Sequence, residues 1–330
     1  MINVIKSQVD AADRKILAEL DKNCRISTKR LAKMLRKSRQ SVDYRINQMK
    51  QNGIISSFNS AINPHKMGCK IYKIYLKLRN IPSEKIRLFR YLRSTGIIYW
   101  MGECSGRWDL IFGVFSKTDS DFFSLKNDII SRFNKIIVEE EGDILVDVKQ
   151  YAKMYFTGEI VKPVMFAGDV VHNKLDRLDC LILAETVNNA RIHITDLSRK
   201  IKSTPIITRR RLRKLEQKGI IIQYRIGVNL NKLGLELYKA ILRLDRYNKY
   251  DENRLLAYVS ALPNVQYFIR NIWQIELELV VSNYQEYYGI IECLKKEFPF
   301  VIRTVDSVLM ITDEWTPGFK NLYSLSKSFS

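Results

Sequence analysis

Histidine is scarce in this chain and acid is short. The three histidines, His65, His172 and His193, stand far apart, too few and too scattered for a metal site. The cysteines Cys24, Cys69, Cys104, Cys180 and Cys293 form no CxxC pair and show no metal-ligand spacing, which argues against a zinc site. Their odd number does not suit a disulfide framework, so reduced thiols in a cytoplasmic protein are expected. No apolar run approaches the ~20 residues that a membrane helix needs. The opening MINVIKSQVDAADRK holds no apolar run long enough for a signal peptide, so neither a leader nor a span is expected. A nucleophile motif, a phosphate-cradling Gly-rich loop and HExxH are all missing. The expectation is therefore no catalytic residue, no cofactor and no enzymatic activity.

The shortage of acid is the informative absence. Thirty-five Asp and Glu face 55 Lys and Arg, a formal net charge of +20 with a pI near 9.7. Such an excess attracts polyanions, nucleic acid before membrane. The charge is also localised. Residues 25–50 hold nine Lys/Arg against Asp43 alone, and residues 191–216 hold nine against Asp196 and Glu216. A solubilising charge would be spread out. At 330 residues the chain is too long for one ordinary core, and 46% hydrophobic content supports more than one.

The two basic windows belong to a tandem repeat. Aligned without gaps at an offset of 166, residues 9–55 and 175–221 share 15 of 47 positions. These include Asp10/Asp176, Asp13/Asp179, Arg25/Arg191, Leu31/Leu197, Arg45/Arg211 and Gly53/Gly219. Each copy opens with three helical signals. Apolar Ile16, Leu17 and Leu20 follow acids suited to a helix N-terminus. Ser27 caps a second helix with Leu31, Met34 and Leu35 inward. Ser38 caps a third that buries Val42, Ile46 and Met49. In the repeat Thr204 caps, Pro205 takes the first helical position, and Thr208, Leu212 and Leu215 point inward. Gly53 and Gly219 stop the third helices. Two helices joined by a tight turn read as a helix-turn-helix.

An alternating apolar stretch follows each stop, Ile54–Ile62 and Ile220–Val228, suited to a two-stranded wing or a linker strand. The remainder of each copy reads as strand, helix, strand, strand, helix, strand. In the first copy the last strand is expected at Ile144–Lys153, with Glu139-Glu140-Glu141 in a solvated loop, and the first helix carries Ile86, Phe89 and Leu92 on its apolar face. The expected fold class is α+β: two copies of a winged helix-turn-helix domain followed by a ferredoxin-like βαββαβ domain. The expected boundaries are residues 1–62 and 63–157 for the first copy, an irregular linker at 158–173, 174–228 and 229–318 for the second, and a fraying tail at 319–330.

The order of these motifs carries a likeness. An acidic first helix with its Ile-Leu pair precedes Arg25-Ile26-Ser27 and Leu31-Ala32. A capped helix then ends R-I-x-x-M-x-x-x-G-I-I, and Gly106-Arg107-Trp108-Asp109-Leu110 lies in the βαββαβ part. The chain resembles the Lrp/AsnC (feast/famine) transcription regulators over almost its whole length, twice. That resemblance implies double-stranded DNA as partner, assembly through the sensor domains into a homo-oligomer, and an amino acid or similar small effector at clefts between units. It also implies that the two sensor domains pack sheet against sheet, so that one chain acts as a covalent pseudo-dimer. Glu103, Cys104, Ser105, Gly106, Arg107 and Asp109 would line the effector site. The alternative is a plain hairpin turn, and the second copy has Asn271-Ile272-Trp273-Gln274 there, without the glycine and the acid.

On the first recognition helix Arg39, Gln40, Asp43, Tyr44 and Asn47 project outward. On the second, Ile206, Arg209, Arg210 and Arg213 do. Arg suits guanine and Gln or Asn suits adenine, while an Arg-rich face suits phosphate. Thus the first helix is expected to read bases and the second to grip the backbone. The bland alternative is a solvated basic face. Arg45 and Arg211 suit either a phosphate or a salt bridge to Asp13 and Asp179. Lys29, Arg30 and Lys33 suit either phosphate or solvent. Two other functions compete: a tetrapyrrole-processing enzyme of the sirohaem decarboxylase type, and an architectural DNA binder without an effector.

Overall fold

The structure is a computed structural model that describes residues 9–245 and 248–315. The sequence-expected tail at 319–330 lies outside the described residues. In the first copy the elements are α1 (Ala11–Lys22), α2 (Thr28–Leu35), α3 (Arg39–Gln51), β1 (Ile55–Ile62), β2 (Lys70–Leu78), α4 (Pro82–Ser94), β3 (Ile98–Gly106), β4 (Leu110–Ser116), α5 (Asp119–Arg132) and β5 (Ile137–Gln150). A short strand β6 (Val164–Ala167) follows. The second copy runs α6 (Arg177–Thr186), α7 (Ile194–Lys200), α8 (Pro205–Gln217), β7 (Ile221–Val228), a single turn α9 (Leu230–Leu233), β8 (Glu236–Leu244), α10 (Lys249–Ser260), β9 (Val265–Asn271), β10 (Ile275–Val281), α11 (Tyr284–Glu297) and β11 (Ile302–Met310), with the two-residue β12 (Glu314–Trp315) last.

The repeat is visible in the caps. Asp10 accepts from the Asp13 amide at 2.8 Å and Asp13 accepts in return from the Asp10 amide at 3.2 Å, a capping box. Asp176 and Asp179 repeat it at 3.1 and 3.4 Å. Ser27, Ser38 and Thr204 cap α2, α3 and α8 through their hydroxyl oxygens. The expected inward residues Val42, Ile46 and Met49, and Thr208, Leu212 and Leu215, are buried. Met34 and Ile86 depart from expectation and are exposed. Leu31 and Ala32 fill the core side of α2 instead, and Leu88 joins Phe89 and Leu92 on α4.

The stretch after each helix-turn-helix does not fold back on itself as a wing. β1 pairs with β7, antiparallel, with Ile55 opposite Val228 and Ile62 opposite Ile221. Because the copies are 166 residues apart, each of these end pairs is the image of the other, so the ribbon has an approximate two-fold axis through it. Each helix-turn-helix also rests on the other copy's strand. Cys24 N donates to Tyr224 O at 2.9 Å, while Ser60 N donates to Val187 O at 3.1 Å and Ala190 N to Phe58 O at 2.8 Å.

The two βαββαβ sheets join edge to edge. Each has the ferredoxin-like order, β5-β2-β4-β3 and β11-β8-β10-β9. β9 pairs with β5, and β11 pairs with β3, both antiparallel, so eight strands close into a ring. Successive residues of β2 face opposite ways. Ile74 and Leu76 meet Leu88, Leu92 and Ile129 from the outer helices, while Ile71 and Tyr75 point to the interior. Helices therefore cover only the outside, and the inside must be filled by the strands alone.

Two further expectations are corrected. Glu139, Glu140 and Glu141 lie in strand β5 rather than a loop, opposite Lys77, Leu76 and Tyr75 of β2. Cations make this possible: Arg107 binds Glu139, Lys126 reaches Glu140 at 2.8 Å and Arg243 reaches Glu141 at 2.7 Å. The linker is not wholly irregular, because β6 pairs with β5 and buries Phe166 and Ala167.

Gly106 shows what closure of the ring demands. It stands at φ +122°, where a Cβ would lie 2.5 Å from the Ser307 carbonyl oxygen on β11. A side chain there must part the seam between the copies. Gly106→Ala is expected to cost about 1–3 kcal/mol in thermal unfolding; an unchanged melting temperature would show that the seam tolerates a methyl group.

Candidate nucleic-acid interface

The face presented by α3 consists of Arg39, Gln40, Tyr44 and Asn47, all exposed. Asp43 is half-buried and turned toward Arg39, 3.4 Å from its Nε, one helical turn away. Ser38 sits at the N-terminus of this face and Thr204 with Pro205 at that of α8. On α8 the exposed set is Ile206, at 79% of its full exposure, with Arg209, Arg210 and Arg213. No acid among the described residues forms an ion pair with these three arginines. Lys29, Arg30 and Lys33 of α2 are exposed as well. The basic windows thus form two surfaces, each a helix-turn-helix with its third helix outward.

Arg45 and Arg211 are placed otherwise. Arg45 Nη1 lies 2.8 Å from both Asp10 and Asp13, and Arg211 Nη1 lies 2.5 Å from Asp176 and 2.9 Å from Asp179. Hydrogen bonds to these carboxylates hold both guanidinium groups above their usual range. Each arginine ties the third helix to the capping box of the first, the salt-bridge alternative left open by the sequence.

The turn after β3 spends its polar groups within the chain. The carboxylate of Asp109 accepts from the Leu78 amide at 2.8 Å and from Lys77 Nζ at 3.1 Å. Arg107 binds Glu139 and stacks over Trp108, and Glu103 is held by Lys85. Cys104 is buried, its thiol pushed up to about 12 by that burial, while Ser105 is exposed. The six residues sit together at the β3–β11 seam.

Sequence reasoning missed a second constellation, inside the ring. Glu276 on β10 accepts from Lys73 Nζ at 2.7 and 2.8 Å, Lys239 Nζ at 2.5 Å, Asn271 Nδ2 at 2.7 Å and the Tyr75 hydroxyl. Lys239 also reaches Glu278 at 2.7 Å. Burial works against the charge of Glu276, but the two lysines outweigh it and hold the carboxyl well below its usual range. Burial brings Lys73 down to about 8, whereas Lys239, held by two carboxylates, is pushed up. A faint signal existed: Lys73 and Lys239 are matched across the copies and share the inward phase of their strands with Ile71 and Tyr75, and with Leu237 and Ile241.

A third cluster links the ring to the first helix-turn-helix. Asp21, in the last turn of α1, is fully buried and receives Arg225 Nε and Nη2 at 3.1 and 2.9 Å and the Lys153 amide at 2.8 Å. Arg225, helped by Lys153, keeps it ionised against the burial cost. Val187 stands at the matching position of the second copy. Between this cluster, the β1–β7 ribbon and the inner sheet face lies a cavity of about 740 Å³, lined by Lys153, Tyr155, Arg225, Tyr267 and Trp100 among others. None of the six residues at the turn lines it.

Comparison with known proteins bears on both regions. A domain described as "Winged helix-turn-helix DNA-binding" matches residues 9–56 and again 175–222. The Bacillus subtilis HTH-type transcriptional regulator LrpC is 37% identical over 97 residues, which cover 29% of this chain and 66% of that protein. An HTH-type transcriptional regulator of Pyrococcus horikoshii is 29% identical over 141 residues, 42% of this chain and 94% of that protein. Among solved structures, the sirohaem decarboxylase NirDL superposes over 96% of this chain and 99% of its own, with a TM-score of 0.63 at 10% identity. That likeness concerns the fold, and it overturns the expectation of no enzymatic activity, because an enzyme uses the same duplicated architecture. No helix among the described residues is long and apolar enough to cross a membrane. With the helix-turn-helix matched twice at the offset of the internal repeat, the chain belongs to the Lrp/AsnC family of DNA-binding transcription regulators, in a form that carries the family's unit in tandem.

Proposed function

We propose that this regulator binds duplex DNA sequence-specifically, as a covalent pseudo-dimer that applies both helix-turn-helix units at once. The observation that carries the reading is the β1–β7 ribbon with its approximate two-fold axis, because it couples two outward basic helices that share one chain. Arg39, Gln40, Tyr44 and Asn47 are the base-reading set, with Asp43 orienting Arg39. Arg209, Arg210 and Arg213 are the phosphate-gripping set, and Ile206 offers an apolar surface suited to a thymine methyl. Lys29, Arg30 and the helix N-termini at Ser38 and Thr204–Pro205 add backbone contacts. Arg45 and Arg211 act as framework residues that set the tilt of the reading helices.

The reading includes modulation by a small molecule, in keeping with the family. It also includes association between chains. Because the seams β5–β9 and β3–β11 use up the free sheet edges of both copies, such association would run through the outer helices.

The test is selectivity. Gln40→Ala combined with Asn47→Ala should cost about 1–3 kcal/mol of discrimination for each bidentate hydrogen-bonded pair with a base that is removed, and leave the salt dependence of binding unchanged. Gel-shift titrations with selected and scrambled duplexes measure both. Equal weakening on both duplexes would mean that α3 does not read bases.

A further inference from the structure

Two residues that line the interior cavity carry polar atoms that the fold leaves unused. The Tyr155 hydroxyl and Asn59 Oδ1 both belong to residues lining it, are buried, and have no hydrogen-bond partner. Buried polar atoms are nearly always satisfied, so each of these two lacks a partner that the chain itself does not supply. Lys153, only 8% exposed, lies two residues before Tyr155. Its ammonium is 3.4 Å from Asp21 Oδ1, but that carboxylate already receives Arg225 twice and a backbone amide. Lys153 is thus the lining cation with the weakest compensation.

The acids around the cavity have partners of their own, although Asp313 also feels the charge of Lys153. Lys239 holds Glu278 at 2.7 Å, the Tyr238 hydroxyl donates to Glu236 at 3.1 Å, and the Trp100 indole donates to Asp313 at 2.5 Å. Leu145, Val148, Phe166, Ile226, Leu237 and Ile269 supply apolar wall. The volume falls within the range of small-molecule sites, which run roughly 300–1,000 Å³ with few, placed polar groups.

We infer that this cavity binds a small organic monocarboxylate with an apolar body, whose carboxylate is held by Lys153 and Tyr155 and whose hydrogen-bond donor meets Asn59. The regulatory meaning of the site rests on the small-molecule response proposed above; the binding does not. A carboxylate at Lys153 competes with Asp21 for the same cation. Asp21 belongs to α1, so occupancy is felt by the first helix-turn-helix and not by the second, where Val187 replaces it.

Calorimetric titration of the full chain without DNA tests the site, using indole-3-acetate, its neutral amide and tryptamine. Indole-3-acetate, whose indole N–H is the donor for Asn59, should bind once per chain, phenylacetate and 4-methylpentanoate, which lack a donor, more weakly, and the amide and the amine at least about tenfold more weakly than indole-3-acetate. Lys153→Met and Tyr155→Phe should each weaken the carboxylate about tenfold. Tyr155→Phe should keep the melting temperature of the free protein, since its hydroxyl has no partner to lose. Asp109→Asn, at the β3–β11 seam, should leave binding untouched. Equal affinity for acid and amide, no binding of any of the three carboxylates at millimolar concentration, or loss in Asp109→Asn with none in Lys153→Met would overturn the inference. If the carboxylate binds as stated but DNA affinity does not change with it, the site stands and the small-molecule response fails.

Discussion

Replacing Arg209, Arg210 and Arg213 together by alanine lowers affinity for duplex DNA by about 10²–10³-fold at about 0.1 M salt. The magnitude follows from counterion release: each neutralised phosphate contributes about 0.9 to the slope of log affinity against log salt, so three arginines carry about 2.7 of it. Stability should hardly change, because all three side chains are exposed and have no internal ion-pair partner among the described residues. Binding measured from low to moderate salt separates the possibilities. An affinity loss with an unchanged slope would mean that these arginines do something other than neutralise phosphate. An unchanged affinity would remove α8 from the interface.

Glu276→Leu destabilises the chain by about 3–5 kcal/mol, the scale for stripping a buried ion pair of one partner. The substitution leaves Lys73 and Lys239 facing each other inside the ring, with Glu278 reaching only Lys239. Denaturant unfolding measures it, and a loss below about 1 kcal/mol would mean that water enters and screens the lysines. The same carboxylate imposes a pH dependence. Its folded value lies below the ordinary 4.5, so its contribution is complete above the unfolded value and is lost as pH falls toward the folded one. Asp143 has the opposite sign: burial pushes it up to about 6, so the stability linked to its protonated form is lost as pH rises through that value. Glu276→Leu should therefore flatten the acid limb of the stability profile and move the step near pH 6 to lower pH, because the Glu276 charge helps to hold Asp143 up.

The local parts of the fold were readable because their signals are local. Asp10 with Asp13, Ser38 with Val42, Ile46 and Met49, and Thr204 with Pro205 state helix starts and inward faces within a few residues. The alternation of Lys70–Arg79 states a strand, and the gap-free repeat carried each reading to the other copy. What was not readable is pairing at a distance. An apolar alternating stretch such as Ile55–Ile62 is equally suited to folding back as a wing or to pairing with Ile221–Val228, and only the assembled pair decides. Glu139 to Glu141 read as a loop because their cations, Arg107, Lys126 and Arg243, come from three other elements. Lys73 and Lys239 were not singled out, since nothing local shows that the ring closes and puts that face inside. The turn at Gly106 was singled out for an effector. Closure of the β3–β11 seam accounts for its glycine, and the bond to the Leu78 amide accounts for Asp109.

The most direct measurement is a hydroxyl-radical footprint of the full chain on a duplex selected from a random pool. One chain should protect two blocks of unlike sequence, with centres about 34–36 Å apart or a whole multiple of that, one block for each helix-turn-helix. The Arg209, Arg210 and Arg213 triple variant should lose one block and keep the other. A single protected block per chain, or two blocks that vanish together in that variant, would contradict a reader and a gripper held on one frame.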